Sequence, residues 1–370
     1  MCIMVNYLSQ DWSAFKMDQR ECLQEQVREA YQQSRPLQVQ GAGTKSFYGR
    51  KTADAEPLLL REHQGIVDYE PSELFVTLRA GTSLQTLQEQ LAEAGQMLPF
   101  EPPFFGAEAT IGGTLACGFS GPRRPYAGSA RDYVLGVHML NGLGESLRFG
   151  GQVMKNVAGY DVSRLLVGSL GTLGVLLEVT LKVLPRPERE LTLVHDTDMA
   201  TAIVRMNQWA GQPLPLSASA WDGSHLYLRL SGTEKAVAAA QSKIGGAVLD
   251  ENDGILFWKN LREHRHVFFQ GTAALWRLAV APATPPLALP GQTLIEWGGG
   301  QRWLRGQRDA TALQALAAEH GGHATLFRGG DRSEEVFQPL PPALFALHQR
   351  LKNAFDPHGI LNPGRLYAAL

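Results

Sequence analysis

Glycine is spread unevenly along this 370-residue chain: residues 36–187 carry 21 of its 39 glycines. Glycine lets the backbone take φ > 0 and approach a ligand with no side chain between. Tight turns, and any cleft built from main chain, are therefore expected in the first half. Pro185-Arg186-Pro187 reads as a boundary, because each proline biases its predecessor away from helix. At roughly 150 residues per domain, the length suggests two or three domains.

Hydrophobic content of 44% and charged content of 19% are enough for a full core. A formal net charge of −2 excludes the basic footprint of a nucleic-acid or membrane-surface protein. Cys2, Cys22 and Cys117 form no C-x-x-C pair. That excludes a disulfide scaffold, a Cys-rich zinc site and a Cys-ligated iron–sulfur cluster, and it points to a reducing, cytoplasmic compartment. No targeting segment is expected at the N-terminus. The most apolar window, Leu165–Leu184, carries Glu178 and Lys182 and is too polar to span a bilayer.

Hydrophobic periodicity predicts a helix over 18–34 with Asp18 as N-cap and a short strand over 37–40. Strand-like runs follow at 57–60, 65–69 and 74–79. Thr82 or Ser83 caps a helix whose Leu84, Leu87 and Leu91 share a face, and Gly95 ends it. A hairpin is expected across Asn141-Gly142-Leu143-Gly144, then a last strand over 175–184. Beyond Pro187 the order strand 191–195, helix 199–209, strands 217–221 and 226–230, helix 234–244, strand 247–249 is the ferredoxin-like βαββαβ pattern. A looser second round runs through 275–281, 293–297, 308–320 and 323–328, and a helix spans 342–355. The fold class expected is α+β.

Gly41-Ala42-Gly43-Thr44-Lys45-Ser46 follows a strand directly, and successive amides in such a turn form a nest for phosphate oxygens. It matches neither the P-loop nor the G-x-G-x-x-G dinucleotide fingerprint. On its own it reads equally well as an ordinary turn. A second stretch, Pro102 to Gly118, is long and small-residued, with the hydroxyls of Thr110 and Thr114, and can lie flat against a large planar ligand. Ser120 to Asp132 continues it. A third comprises Gly159-Tyr160-Asp161-Val162-Ser163-Arg164 and Gly168-Ser169-Leu170-Gly171-Thr172-Leu173-Gly174-Val175.

In order and spacing these stretches resemble the FAD-binding domain of the vanillyl-alcohol oxidase/p-cresol methylhydroxylase (PCMH-type) flavoprotein family. Asn156 to Leu165, Gly168 to Val175 and the tail Phe355 to Leu366 are similar to its glycolate oxidase and D-lactate dehydrogenase branch. The resemblance implies a two-subdomain FAD-binding domain over 1–187, a smaller ferredoxin-like cap over 188–335, and a segment, 336–370, that returns to the FAD domain. It implies that Gly41, Ala42, Gly43, Thr44, Lys45 and Ser46 take the pyrophosphate. Thr110, Ile111, Gly112, Gly113 and Thr114, with Ala116 and Gly118, would run beside pyrophosphate and flavin. Gly128 and Arg131 would shape the same wall, Gly174 and Val175 would contact the nucleotide, and Asn362 would reach the flavin side. Covalently flavinylated relatives carry a His near the first loop; none is present here, so non-covalent FAD is expected.

The branch often has Glu where this chain has Leu170, and its H-x-G-D-G-N-x-H metal motif is absent. His320-Gly-Gly-His323 lacks a third ligand, and His264-x-His266 is expected to split across a helix, so no metal site is assigned. Arg229, Arg277, Arg302 and Arg305 are candidate carboxylate clamps, each also readable as an ordinary arginine. Lys155, Asn156 and Tyr160 read equally as facing a flavin or supporting a hairpin, and no catalytic base is assigned. Trp258, Trp276, Trp297 and Trp303 offer a partner surface if exposed.

A flavin dehydrogenase must discharge electrons, and these cysteines cannot hold an iron–sulfur relay. The resemblance therefore implies a glycolate-oxidising complex with a second FAD-containing subunit and an iron–sulfur subunit, held at the inner face of the cell membrane by its partners. The alternatives are a self-contained oxidase of another 2-hydroxy acid or alcohol, and a non-catalytic flavin-binding electron-transfer or scaffold subunit. A NAD-dependent dehydrogenase lacks its fingerprint.

Overall fold

The computed structural model describes residues 18–151, 161–289 and 291–370. Lys155, Asn156, Gly159 and Tyr160 lie outside them. Helix α1 (Arg20–Gln32) buries Leu23, Val27 and Ala30. Its N-cap is Gln19 rather than Asp18, although the Asp18 carboxylate still accepts from the Arg20 amide at 3.1 Å while it pairs with Arg20 and Arg79. Strand β1 (Leu37–Gln40) pairs in parallel with β2 (Glu56–Leu59).

A five-stranded antiparallel sheet follows, ordered β3-β4-β8-β6-β7. Its strands are β3 (Ile66–Glu70), β4 (Phe75–Arg79), β6 (Val134–Leu140), β7 (Ser146–Gly150) and β8 (Val175–Lys182). Between β4 and β6 lie α2 (Leu84–Glu93), the short β5 (Gln96–Met97), α3 (Ile111–Cys117) and α4 (Arg124–Ala127). Every residue of β4, and all but the last of β8, is buried, as expected of central strands covered on both faces. Ser83 caps α2, its hydroxyl accepting from the amides of Gln85 and Thr86. The short α5 (Val162–Leu165) precedes β8, and β9 (Leu184–Pro185) pairs with β5.

Residues 189–328 build one eight-stranded sheet. In its first half, β10 (Arg189–Asp196), α6 (Met199–Ala210), β11 (Leu216–Trp221), β12 (His225–Gly232), α7 (Glu234–Ile244) and β13 (Ala247–Val248) give the spatial order β13-β10-β12-β11. After α8 (Glu251–Arg262), the strands β14 (Leu275–Ala279), β15 (Thr293–Glu296), β16 (Gln301–Arg305) and β17 (His323–Arg328), with α9 (Ala310–Glu319), repeat that order as β17-β14-β16-β15. The halves join edge to edge where Ala220 faces Glu296 and Trp221 faces Ile295. Pairing the two inner edges protects both from solvent. The periodicity misses helices α3 and α8, and it misses strand β16. Its buried Arg302 and Gln301 break the apolar pattern, and the preceding Gly298-Gly299-Gly300 reads as loop.

Helix α10 (Pro342–Phe355) brings the chain back to the first sheet. The buried Lys352 donates to the carbonyls of Thr172 and Leu361, both at 2.8 Å, and to the Asp356 carboxylate at 2.6 Å. Asp356 in turn accepts from the amides of Ile360 and Leu361. Removing one member of a buried ion pair strands the other charge, at a cost of about 3–5 kcal/mol. Asp356→Ala is expected to lose stability of that order in urea denaturation; a loss below about 1 kcal/mol would show the junction to be redundant.

Candidate functional site: a backbone-lined cleft

A cleft of about 680 Å³, open to solvent, lies between the turn after β1, the start of α3 and the C-terminal tail. An adjoining recess of about 430 Å³ shares Val39, Gln40, Gly41, Gly113, Ala116 and Leu170 with it and continues to Gly112, Gly171 and Gly174. All six residues from Gly41 to Ser46 line the cleft. Within the described residues, the backbone amides of Ala42, Gly43, Thr44 and Lys45 donate no hydrogen bond, leaving four consecutive donors for an acceptor. Gly43 sits at φ +72°, where a side chain is strained.

The cleft is cationic. Among the described residues its lining holds Lys45 and Arg365 and no carboxylate. Lys45 Nζ donates to the Phe104 carbonyl at 3.0 Å and the Thr44 hydroxyl at 3.3 Å, and burial pushes its pKa down to about 8. The Arg365 guanidinium donates to the carbonyls of Ser46 and Arg50. Neither Tyr48 nor Arg365 is marked by the sequence, although Arg365 stands inside the tail it singles out and Tyr48 two residues beyond the first glycine turn.

The facing wall works differently from expectation. The amides of Ile111, Gly112, Gly113 and Thr114 are taken by Thr82, Ala80 and Thr110, so they are not free for a ligand. The wall contributes closeness instead. Thr110 caps α3 through its hydroxyl, and a Cβ on Gly41 would come within 2.2 Å of that oxygen. Gly112 packs on Ala80, where a Cβ would stand 2.7 Å from the Ala80 side chain. Thr110, Gly113 and Ala116 line the cleft, while Ile111 and Thr114 are core. Gly118 closes α3 at φ +65°.

Gly128 and Arg131 line neither part of the cleft. The turn that carries them is tied by the Ser129–Asp132 capping box, and Arg131 is exposed. Gly174 lines the recess, whereas Val175 is fully buried at the start of β8. Asn362 lines the cleft. Its carbonyl oxygen accepts from the Val39 amide at 2.8 Å and its NH₂ donates to the Leu170 carbonyl at 2.7 Å. Leu170 itself sits at φ +54°.

Other candidates resolve by their partners. Arg229 pairs with Glu101 at 2.8 Å, Arg302 donates to main-chain carbonyls that include Pro285, and Arg305 lies against Gly271. Arg277 bonds the Tyr48 hydroxyl at 3.1 Å and makes no ion pair among the described residues. His264 and His266 follow α8 rather than lying on it, and among the described residues no three His, Cys, Asp or Glu side chains converge as metal ligands. Trp258, Trp276 and Trp303 are buried, so they offer no partner surface. No helix among the described residues is long and apolar enough to cross a membrane.

Free amides, unpaired cations and glycine walls suit a dinucleotide carrying a diphosphate and a flat ring, and FAD fits them. Gly41 to Ser46 would face the diphosphate, with Lys45 and Arg365 offsetting its charge. The class is that of the FAD-linked oxidoreductases. Residues 14–150 match the FAD binding domain family and residues 312–366 the C-terminal domain of FAD linked oxidases. The chain belongs to the family of the glycolate oxidase subunit GlcE. It is 47% identical to that protein of Escherichia coli (strain K12) over 353 residues, covering 95% of this chain and 99% of the relative. It is also similar to glycolate oxidase subunit GlcD of Bacillus subtilis (strain 168), 33% identical over 43% of this chain and 34% of that protein. Among solved structures, an alkyldihydroxyacetonephosphate synthase shares the fold at TM-score 0.65 and 15% identity, over 94% of this chain and 76% of that one.

Gly41→Val drives a side chain into Thr110 and is expected to weaken FAD binding at least tenfold, read by flavin fluorescence on titrating the FAD-free protein, with far-UV circular dichroism retained. A protonated Lys45 favours an anionic cofactor, and burial has lowered its pKa to about 8. FAD affinity should therefore fall as pH rises through about 8, and that fall should vanish in Lys45→Met.

Proposed function

We propose that this chain is the FAD-binding subunit of a glycolate oxidase (glycolate dehydrogenase) complex that converts glycolate to glyoxylate. The observation that carries this reading is the conjunction of near full-length similarity to GlcE with a cleft whose free amides and two cations suit FAD. FAD, when bound, supplies the two-electron acceptor for oxidation of the hydroxy acid. The chain's own part is to hold and shield it. The amides of Ala42 to Lys45 bind the diphosphate and Lys45 and Arg365 neutralise it. Asn362 locks the tail against β1, and Tyr48 walls one end.

In this reading residues 1–187 are the FAD-binding domain, 188–335 the cap and 336–370 the returning segment. Gly112, Gly113, Ala116 and Gly174 give the cofactor its close wall, and Asn362 reaches its flavin side. The partners are a second flavoprotein subunit related to GlcD and an iron–sulfur subunit. The complex sits in the cytoplasm at the inner face of the membrane, held by its partners. Similarity to a GlcD over part of the chain, and the scattered cysteines of this one, support a division of labour among subunits.

The test is to purify the chain alone and co-expressed with its partners, then assay glycolate-dependent dye reduction. FAD in both preparations is expected, with turnover by the lone chain below one-tenth of the complex. Full turnover by the lone chain would favour a self-contained oxidase, and a colourless protein would favour a scaffold.

A further inference from the structure

A second cavity, about 350 Å³ including its mouth, lies between the 103–122 segment and the eight-stranded sheet. Tyr48 separates it from the cofactor cleft. The tyrosine lines the cleft, its ring meets Phe119 and Phe327 of the cavity wall at 4.7 and 5.3 Å, and Arg277 holds its hydroxyl from the cavity side.

Three observations mark this cavity as a built site. Phe105, His264 and Trp297, all in its lining, hold φ of +53°, +53° and +56°. Left-handed backbone in bulky residues is costly and persists where the surroundings enforce it. Second, the buried His264 leaves Nδ1 without a hydrogen-bond partner among the described residues. Its ring stacks on Phe269 at 4.0 Å, and burial, with Arg328 and Arg277 nearby, keeps it neutral. Buried polar atoms are seldom left unpaired, so a missing partner points to a ligand. Third, the buried Glu296 accepts from Trp303 Nε1 at 2.6 Å and Gln301 Nε2 at 3.0 Å, yet pairs with no cation among the described residues.

We propose that this cavity binds a small monocarboxylic acid, the hydroxy acid of the reading above on which this inference rests, with Arg277 holding the carboxylate and Glu296 and His264 facing its remaining polar group. The charge balance selects a monoanion. Arg262 also lines the cavity but is paired with Glu263 at 2.8 Å, so among the described residues Arg277 is the lining's unpaired cation. Arg124 adds positive field from behind Trp297, 4.5 Å from its ring. Burial raises Glu296 to about 7, its two N–H donors opposing that rise in part, so the acid is largely neutral below that pH. The strand neighbour opposite Glu296 is Ala220, and the 119–122 segment adds no titratable group. A phosphate dianion would find one free arginine and a carboxyl group opposing its second charge.

Trp297 and Trp303 line the cavity and report on it. Titrate the FAD-loaded chain with glycolate, acetate and inorganic phosphate, following tryptophan fluorescence and, in parallel, calorimetry. Both carboxylates are expected to bind and phosphate to bind at least tenfold more weakly. Arg277→Met should weaken carboxylate binding at least twentyfold at unchanged FAD content, with partial recovery in Arg277→Lys. Wild-type affinity should fall about tenfold per pH unit above pH 7, and Glu296→Gln should abolish that dependence. Arg277→Met binding as wild type, equal binding of phosphate, or no carboxylate binding to a chain that carries FAD would each overturn the proposal. Loss of FAD itself would instead sink the cofactor reading, because the tryptophan signal reads the cavity independently.

Discussion

The side-chain amide of Asn362 holds three separate parts of the chain together. It accepts from Val39 on β1, donates to Leu170 in the turn before β8, and lies on the tail that follows α10. The Leu37 carbonyl accepts the Asn362 amide at 3.0 Å, which continues the contact along β1. An amide side chain is suited to this junction because it offers a donor and an acceptor in one plane. Just upstream of Asn362 the buried Lys352–Asp356 pair anchors the same tail to Thr172 and Leu361. The cleft floor is thus assembled from pieces more than 300 residues apart, and its shape depends on the tail staying docked.

Two glutamates, Glu101 and Glu296, show how local charge decides a carboxyl group's state. Burial pushes Glu101 up, but Arg229 and Arg123 outweigh it and hold it at about 2. Arg123 also reaches Glu190 on β10, so this charged group ties the first sheet's loops to the second sheet. Glu296 receives only neutral donors and is raised to about 7. One carboxyl group is an ionised structural pin; the other is able to exchange a proton near neutrality. The same logic separates the arginines: Arg229 is consumed by Glu101, while Arg277 is left to a tyrosine hydroxyl.

Most of the strand order, a cap at Thr82 or Ser83 and the ferredoxin-like alternation were legible because each depends on residues close in sequence, where periodicity and turn chemistry act directly; helices α3 and α8 were not. The turn at Gly41–Ser46 was legible for the same reason. Strand β16 was not, since Arg302 and Gln301 are buried only because β14 and β15 flank them and carbonyls such as that of Pro285 receive the guanidinium. Nor was the split within the second glycine stretch. Whether an amide at 111–114 is free depends on Thr82 and Ala80, which a spacing rule cannot see.

What the amino-acid order determined by itself was where main chain can come close: glycine at 41, 43, 112 and 113 removes side chains whatever the fold does next. Tertiary structure alone decided which donors stay unpaired, which cations lack a carboxylate, and that His264, Arg277 and Glu296 meet around one cavity with Tyr48 behind Arg277. The reason is that pairing and burial are properties of neighbours in space, and the chain supplies those neighbours from segments hundreds of residues apart.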